Sequence, residues 1–365
     1  MSISMRICYV LSYRSPAYIR TQTLLSALRQ IPGVELQLAI NSRTGLGRYV
    51  DTWQQVRKIR TTFDPHLYIL GFRGHEFYWP LRGLVGRKPI VFDAMMSPAT
   101  ALVEEGKLAL PGRLAGRFLL PVERTIMRDA NLVLTDTPSH AAHFCRLFGL
   151  AAGLVVPVPV GAIERPEVVR VPVEEAERNR PLRILFYGSF LPLHGVEVIL
   201  AAVSLLRDLP LCFDFIGGNA AWGQRLASVF AQAGAVSYTW RAWVPFEELL
   251  AETIPNADIC LGGPFGNTPQ AMRVITGKTS QALALGKPTI IGAAEDNPGF
   301  VARENCLLVP QGSAEALAAA LHWAVENRER LDEIGQRGRI LYRRALSIEV
   351  MARRLAEQLV CFADQ

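Results

Sequence analysis

Short apolar runs alternate with longer amphipathic segments through the first 157 residues of the chain. A short apolar run between turn signals is typical of a buried strand, whereas apolar positions three and four residues apart indicate a helix. We predict strands at 6–11, 35–39, 67–70, 89–93, 131–135 and 154–157, and helices near 18–31, 50–62, 112–129 and 138–148. Strands that alternate with helices of this length predict an α/β fold with a doubly wound parallel sheet.

The same alternation begins again at residue 183, after the proline-rich, charged and aperiodic segment 157–181. It ends in helices predicted near 314–328, 330–345 and 348–363. An aperiodic segment of this composition is typical of a linker. We therefore predict a first domain at 1–165, a linker at 166–181, a second domain at 182–346 and a terminal helix at 347–365.

Two loops of the second half have the character of phosphate-binding turns. Gly188 and Gly195 bracket a loop between a predicted strand at 184–187 and a helix that starts at Val196, so the backbone can approach a ligand closely. A second short helix opens near Thr279, is stopped at Gly286 and is followed at once by a strand at 289–291. Helix N-termini attract anions, and two of them in one domain suggest a bound diphosphate.

Composition narrows the class of protein. Among the 365 residues, 50% are hydrophobic and 20% charged, which is ordinary for a soluble globular enzyme. The apolar runs are too short to span a bilayer, and the five-residue run near the N-terminus is interpreted as a strand and not a signal peptide. Six cysteines stand singly in the chain, which predicts reduced thiols in the cytoplasm.

The net charge of +6 is unevenly placed, because segment 107–130 mixes basic residues with Leu, Phe and Ile. Such a stretch can lie on an anionic membrane surface, or it can be a core helix with a solvated basic face. Its basic residues are Lys107, Arg113, Arg117, Arg124 and Arg128. We find no nucleic-acid-binding motif and therefore expect no nucleic-acid partner. The predicted location is cytoplasmic, and the membrane alternative for 107–130 would make the protein peripheral at the inner face of the membrane.

Several segments resemble one enzyme family. Both glycine-bounded loops, together with FDFIGGN at 213–219, the segment 241–263 and ENCLLVPQGSAEALAAAL at 304–321, resemble the donor-binding half of GT-B glycosyltransferases of the retaining group-one type, family four. The first half matches through ICYVLSYRSPAYIRTQTLLSALRQ and KPIVFDAMMSPATALV. The resemblance implies two Rossmann-like domains that face each other across a cleft, with the last helix packed back on the first domain.

The resemblance also implies a reaction. A sugar would pass from a UDP- or GDP-linked donor to an alcohol of a glycan or a lipid-linked acceptor, without a metal cofactor and with retention, in polysaccharide or glycolipid assembly. Two other functions stay open: an inactive glycosyltransferase-like scaffold, and another nucleotide-sugar enzyme such as an epimerase.

The family's donor residues are only partly present. Where the family has Lys before the loop glycine, and Arg five residues earlier, this chain has His194 and Ser189. A protonated His194 would donate to a phosphate oxygen. The family's two glutamates correspond to Arg273 and Gln281; Gln281 would contact the ribose, and Arg273 with Lys278 would replace the lost cations.

The remaining predicted donor residues lie in loops after strands. Trp243 and Val244 would form a rim for the nucleobase, although a Trp here is also typical of a core. The others are Gly188, Phe190, Gly195, Gly217, Gly218, Val274 and Thr279.

The first half offers candidates for the acceptor side and for catalysis, because its strand-end loops carry polar side chains. Arg14, Arg20 and Arg73 are the predicted acceptor-side residues. His75 and Asp93, at neighbouring strand ends, are candidates to orient a sugar hydroxyl, and Arg273 is a third catalytic candidate. A histidine bonded to loop backbone is the alternative interpretation of His75.

No metal site is predicted from the sequence. His140 and His143 are spaced for one helix face, but no third ligand stands near them. No DxD element and no nucleophile elbow are present.

Overall fold

The structure is a computed structural model that describes residues 4–15, 17–104, 109–164 and 180–362, without the side chains of 104 and 109–114. Its strands are β1 (Met5–Leu11), β2 (Val34–Ile40), β3 (Leu67–Leu70), β4 (Ile90–Asp93), β5 (Leu132–Thr135), β6 (Val155–Pro157), β7 (Leu182–Gly188), β8 (Leu211–Gly217), β9 (Ser237–Arg241), β10 (Ile259–Leu261), β11 (Thr289–Gly292) and β12 (Leu307–Val309).

Fifteen α-helices are assigned among the described residues. They are α1 (Ile19–Gln30), α2 (Gly47–Thr62), α3 (Tyr78–Val85), α4 (Pro98–Glu104), α5 (Ala109–Asp129), α6 (Pro138–Phe148), α7 (Val196–Val203), α8 (Ala220–Phe230), α9 (Phe246–Glu248), α10 (Ile254–Asn256), α11 (Pro269–Arg273), α12 (Gly277–Ala284), α13 (Ala314–Glu326), α14 (Leu331–Ala345) and α15 (Ile348–Leu359). Short 3-10 turns occur at Gly74–Phe77, Pro192–His194, Arg328–Arg330 and Val360–Phe362, and a π-turn at Leu249–Thr253.

The chain forms two compact units. The first unit is Met1–Gly161 together with Ile348–Gln365, and the second unit is Ala162–Ser347. Each contains one six-stranded sheet, with the order β2-β1-β3-β4-β5-β6 in the first unit and β12-β11-β10-β7-β8-β9 in the second. The strands of both sheets pair in parallel. The predicted α/β class with two doubly wound sheets is thus confirmed.

The sheet of the first unit is covered on both faces. One face packs side chains such as Val10, Leu70 and Phe92 against α2, α3, α5 and α6. The other face packs residues of β1 and β3 against α1 and α15. Helix α15 belongs to this unit although it follows the second unit in sequence, and it buries Met351, Leu355 and Leu359 there. The expected return of the terminal helix to the first domain is confirmed.

Element positions agree with the pattern of apolar residues, because each predicted strand lies within two residues of an observed one. Helices α3, α4, α8 and α11 were missed. Helices α3 and α4 have eight residues or fewer, and each contains a proline that the pattern associates with a turn. Most of the predicted linker, 166–181, lies outside the described residues.

Candidate functional site

The order of strands marks one edge of the second unit's sheet as a binding edge. From β7 the chain first adds β8 and β9 on one side, and then β10, β11 and β12 on the other. In open α/β sheets, ligands bind outside the carboxyl ends of the strands where the order reverses, here between β7 and β10. Gly188 ends β7 at this edge, and Gly262 and Gly263 follow β10. We call this edge the switch-point edge of the second unit.

Glycines let three loops lie against one another at this edge. A Cβ on Gly195 would lie 2.4 Å from the backbone nitrogen of Gly266, and one on Gly217 would lie 1.8 Å from the carbonyl oxygen of Gly188. Gly188, Gly195, Gly217 and Gly218 all have positive φ angles, which glycine adopts without strain. Side chains at these positions would force the loops apart. The loop at 188–195 therefore lies against the loops that follow β8 and β10.

Phe190 is a buried residue within the loop 188–195. It is 5% exposed, adopts a φ of 52° and contacts the ring of Trp222 with centroids 5.5 Å apart. A Cβ on Gly218 would lie 2.9 Å from the Phe190 ring. Neighbouring Ser189 is exposed in the same loop. Phe190 thus acts as a hydrophobic anchor that positions the loop backbone.

Two threonine hydroxyls attach the start of α12 to the loop after β10. The Thr276 hydroxyl donates to the Gly262 carbonyl at 2.7 Å and accepts from the Thr279 N–H at 3.3 Å. The Thr279 hydroxyl donates to the Gly263 carbonyl at 3.2 Å, and the residue is fully buried. Thr279, predicted to contact the donor, is placed where it positions the helix N-terminus. Thr276, Gly262 and Gly263 were missed, although a Gly-Gly pair directly after a strand was an available signal.

Lys278 is the most unusual residue of this edge. It is 8% exposed, and its Nζ atom lies 5.7 Å from the ring centroid of Phe186, next to Gly188. Burial lowers the pKa of Lys278 from 10.5 to about 7. No carboxylate among the described residues pairs with it. An ammonium group buried without an anionic partner costs folding free energy, so it is expected to have an anionic ligand.

His194 faces Lys278, and the two groups cannot both be cations at low cost. Burial, and then the charge of Lys278, holds the pKa of His194 well below its usual value. Its Nδ1 atom accepts a hydrogen bond from the Leu191 N–H at 3.3 Å, so the proton of the neutral ring is on Nε2. His194 is therefore neutral in the free protein, and its protonation beside a bound phosphate stays a prediction. The residue can still donate through Nε2–H.

Gln281 already has a structural partner. Its Nε2 donates to the Ile163 carbonyl at 2.9 Å, and its Oε1 accepts from the Ile163 N–H at 3.0 Å. The residue is 2% exposed. Its amide therefore holds the first residues of the second unit against α12, and a ribose contact stays a prediction.

The other predicted donor residues lie on neighbouring loops. Trp243, after β9, is 74% exposed, so its interpretation as a core residue is wrong. Val244 beside it is buried and packs with Ile216 and Leu249. Arg273 ends α11 as a half-buried residue, and Val274 is buried next to it.

In the first unit, Arg20 and Asp93 form a buried ion pair. Arg20 Nη2 lies 2.8 Å from Asp93 Oδ1, and Arg20 Nη1 donates to the carbonyls of Val158 and Pro159 at 2.7 and 2.9 Å. Both side chains have no exposed surface. Burial raises the pKa of Asp93, while Arg20 opposes that shift. The pair joins α1 to the carboxyl ends of β4 and β6, and neither group is accessible to an acceptor in this conformation.

His75 lies in the turn after β3 with both ring nitrogens buried and without hydrogen-bond partners among the described residues. Its ring contacts Phe92 edge-on, with centroids 4.8 Å apart, and burial lowers its pKa to about 3. The alternative of a histidine bonded to loop backbone is not seen. Arg73, two residues earlier, lies over the ring of Tyr13, while Arg14 is exposed.

The described residues contain no group of three His, Cys, Asp or Glu side chains that could hold a metal ion. His140 pairs with Asp136 at 2.6 Å, which accounts for one member of the His140/His143 pair. Within the part of the chain that the structure describes, no helix has the length and apolar character needed to cross a bilayer.

Comparisons with known proteins agree with this architecture. Residues 181–327 match the family model described as glycosyl transferases group 1. No curated protein sequence matches the chain.

Solved structures match over nearly the whole chain. Sucrose-phosphate synthase from Thermosynechococcus elongatus is 16% identical, with a TM-score of 0.72 and coverage of 99% of this chain and 100% of the other. Anabaena Alr3699/HepE in complex with UDP is 14% identical, with a TM-score of 0.66 and coverage of 98% and 100%. The lipopolysaccharide outer core galactosyltransferase WaaB in its apo form is 13% identical, with a TM-score of 0.62 and coverage of 98% and 99%. The chain thus has the GT-B fold of these structures, and its residues 181–327 match the group 1 glycosyltransferase model.

Proposed function

We propose that the chain transfers a sugar from a nucleotide-sugar to an acceptor alcohol, and that the switch-point edge of the second unit binds the donor diphosphate. The observation that carries this proposal is Lys278, a buried ammonium without a carboxylate partner at the edge where the glycine loops meet. A diphosphate supplies the missing negative charge. The UDP complex of HepE makes UDP the first nucleotide to test.

The same groups would stabilise the leaving diphosphate during transfer. Lys278 supplies positive charge, neutral His194 supplies a fixed N–H donor, and the N-terminus of α12 adds backbone N–H groups. Preorganised donors of this kind stabilise developing negative charge without a metal ion. Metal independence and retention are part of the proposal and are supported by the family resemblance.

Other residues have proposed roles around this centre. Exposed Trp243 would form the rim for the nucleobase, and half-buried Arg273 would contribute a second positive charge. In the first unit, His75 would orient an acceptor hydroxyl, because its ring nitrogens lack partners in the described structure. Asp93 would act through Arg20 as a positioning residue, since both are fully buried.

Isothermal titration of UDP, GDP and their sugars tests the donor site. We expect Lys278→Gln to remove most of the affinity. His194→Ala should weaken binding by roughly ten- to a hundredfold, because a hydrogen bond to a charged group contributes about 1.5–3 kcal/mol. Lys58→Gln, on the exposed face of α2, is the control and should bind like wild type. Wild-type affinity in both site variants would refute the site.

The two alternative functions give different products. An inactive scaffold would bind nucleotide but release none from any nucleotide-sugar, and an epimerase would change the sugar without an acceptor. Release of nucleotide that depends on an added acceptor supports glycosyl transfer. Acceptor-independent isomerisation of the donor sugar contradicts it.

We also propose that α5 places the protein at the inner face of an anionic membrane, with a lipid-linked or growing glycan as acceptor. Phe118 is 78% exposed and Val122 is 49% exposed on this helix, beside exposed Arg117 and Arg128. Arg124 donates to the Leu147 carbonyl, so it is partly committed within the unit. The side chains of Lys107 and Arg113 lie outside the described residues.

A further inference from the structure

The first unit has a switch point of its own. Its chain runs from β1 to β2 on one side and then to β3 on the other, so the order reverses between β1 and β3. The crevice outside the carboxyl ends of these two strands is where ligands of open α/β sheets bind. Tyr13 follows β1 at this edge, and Phe72 and Arg73 follow β3.

Three aromatic rings meet there. Tyr18 stacks on Phe72 with ring centroids 4.5 Å apart and an interplanar angle of 19°. Tyr13 meets Phe72 edge-on at 5.2 Å and Tyr18 edge-on at 6.3 Å. Phe72 is 7% exposed but Tyr18 is 36% exposed. We call Tyr13, Tyr18 and Phe72 the aromatic platform, in which the partly exposed Tyr18 is stacked on the buried Phe72.

Polar groups lie close to the aromatic platform in space or in sequence. The Arg73 guanidinium lies 5.7 Å from the ring centroid of Tyr13, and Arg14 is exposed next to that ring in sequence. Burial, and then the neighbouring Tyr13, raises the pKa of Tyr18 to about 12, so its hydroxyl stays protonated and both donates and accepts hydrogen bonds. Asp136, 4% exposed and paired with His140, acts electrostatically on the same hydroxyl.

Arg73 adopts a strained backbone conformation at this edge. Its φ is 57°, in the left-handed region where a non-glycine residue is strained. Glycine would fit the turn without that strain. The Arg73 guanidinium therefore lies beside the aromatic platform on a backbone conformation that glycine would adopt more easily.

We propose that the aromatic platform is a binding subsite for a pyranose ring of the acceptor. The apolar C–H face of a pyranose packs on the exposed Tyr18 ring, while its hydroxyls bond to Arg73, Arg14 and the tyrosine hydroxyls. An apolar surface with a few convergent polar groups is the usual composition of a small-molecule site. The proposal rests on the proposed glycosyl transfer and narrows its acceptor to one whose terminal unit is a sugar.

Saturation-transfer NMR with the full chain tests the subsite without any donor. The probes are methyl hexopyranosides, neutral and uronate, and uridine monophosphate. We expect transfer from the protein to ring C–H protons of at least one glycoside. That signal should fall at least several-fold in Tyr18→Leu, because leucine still covers Phe72 but has no aromatic ring. The signal should persist in Tyr18→Phe, which keeps the ring.

Two further variants complete the design. Arg73→Gly should lose glycoside binding while its thermal unfolding temperature stays equal to or above that of wild type, because strain is relieved. Trp53→Ala is the matched control: Trp53 is 37% exposed and lies 5.6 Å from the Arg57 guanidinium, but on α2 and not at the strand ends. It should bind glycosides like wild type.

Three results would overturn the subsite: no transfer to any glycoside in wild type, equal transfer in wild type and Tyr18→Leu, or Tyr18-dependent transfer to the nucleotide alone. Failure of the donor proposal is distinguishable, because it appears as absent UDP and GDP binding in titrations that do not involve Tyr18. Glycoside binding without nucleotide binding would support the subsite but contradict the donor proposal, and would indicate a carbohydrate-binding protein.

Discussion

At the scale of single residues, two buried lysines of the second unit have opposite environments. Lys278 lacks an anionic partner, whereas Lys287, 4% exposed, donates to the carbonyls of Pro255 and Ala257. Lys287 is therefore a structural hydrogen-bond donor, whereas Lys278 is a candidate cation for ligand binding. Substitution of each lysine should change the stability of the protein in opposite directions.

We predict that Lys278→Met raises the thermal stability of the free protein and removes its stabilisation by UDP or GDP. The substitution removes a desolvated charge and so relieves the free-energy cost of burying it. Lys287→Met is the control and should lower stability, because it leaves two carbonyl acceptors without their donor. Differential scanning fluorimetry with and without nucleotide measures both. Destabilisation by Lys278→Met would show that the ammonium has a partner within the protein.

The lowered pKa of Lys278 also predicts a pH dependence. The ammonium is present below about pH 7 and is lost above it, so affinity for a nucleotide-sugar should fall as pH rises through this value. Stability of the free protein should rise with pH between about 7 and 10.5, because the unfolded chain binds the proton that the folded chain releases. Titration calorimetry from about pH 6 to 9 tests the affinity. Lys278→Arg should flatten the affinity profile; an unchanged slope in that variant would assign the pH dependence to another group.

At the scale of elements, one ion pair connects four parts of the first unit. Arg20 on α1 reaches Asp93 at the end of β4 and the carbonyls after β6, and also lies near the Thr135 carbonyl that ends β5. A buried charge without its partner is strongly destabilising, whereas replacing a whole buried pair with apolar groups is often neutral.

We therefore predict that Asp93→Asn lowers the free energy of unfolding by about 3–5 kcal/mol. The double variant Arg20→Met/Asp93→Leu should recover most of that loss. Urea denaturation measures each variant. An Asp93→Asn protein with wild-type stability but no transfer activity would instead support a catalytic role for the carboxylate.

Helix α5 supplies an element-scale prediction about the membrane. Phe118→Ser/Val122→Ser should abolish co-sedimentation with anionic vesicles, because both exposed side chains are positioned to insert at the interface. Arg117→Gln should weaken binding and reduce its salt dependence, since each basic residue near an anionic surface contributes about 1 kcal/mol. Ile340→Ser, 65% exposed on α14, is the control. If the wild-type protein does not co-sediment with anionic vesicles at low salt, the membrane proposal is contradicted and a soluble acceptor is favoured.

At the scale of the whole molecule, the chain returns to the first unit after it completes the second. Leu355→Ser on α15 should therefore weaken hydrogen-exchange protection in α1 and β1, while peptides of β7 and α12 keep their protection. Arg353→Ser, on the exposed face of the same helix, should change neither set. Loss of protection in the second unit alone would contradict the assignment of α15.

The sequence alone was sufficient for features that depend on neighbouring residues. Apolar runs between turn signals placed the strands, because a strand buried in a parallel sheet needs nearly continuous apolar residues. Gly188, Gly195 and Gly286 marked loops and a helix end, because the conformations required there favour glycine. The renewed alternation after the proline-rich segment predicted two domains, and the family resemblance added their GT-B type and the return of the terminal helix.

Only the tertiary structure decided charge, protonation and exposure. Lys278 has a pKa of about 7 because the folded protein removes water from it, and His194 is neutral because it is buried with Lys278 beside it. Arg20 and Asp93, 73 positions apart in sequence, become a single buried pair. The exposure of Trp243 depends on the position of the loop after β9. Tyr18 stacks on Phe72 because the fold brings the loops that follow β1 and β3 together. These properties arise from contacts between residues that are distant in the chain, so no local pattern of polar and apolar positions contains them.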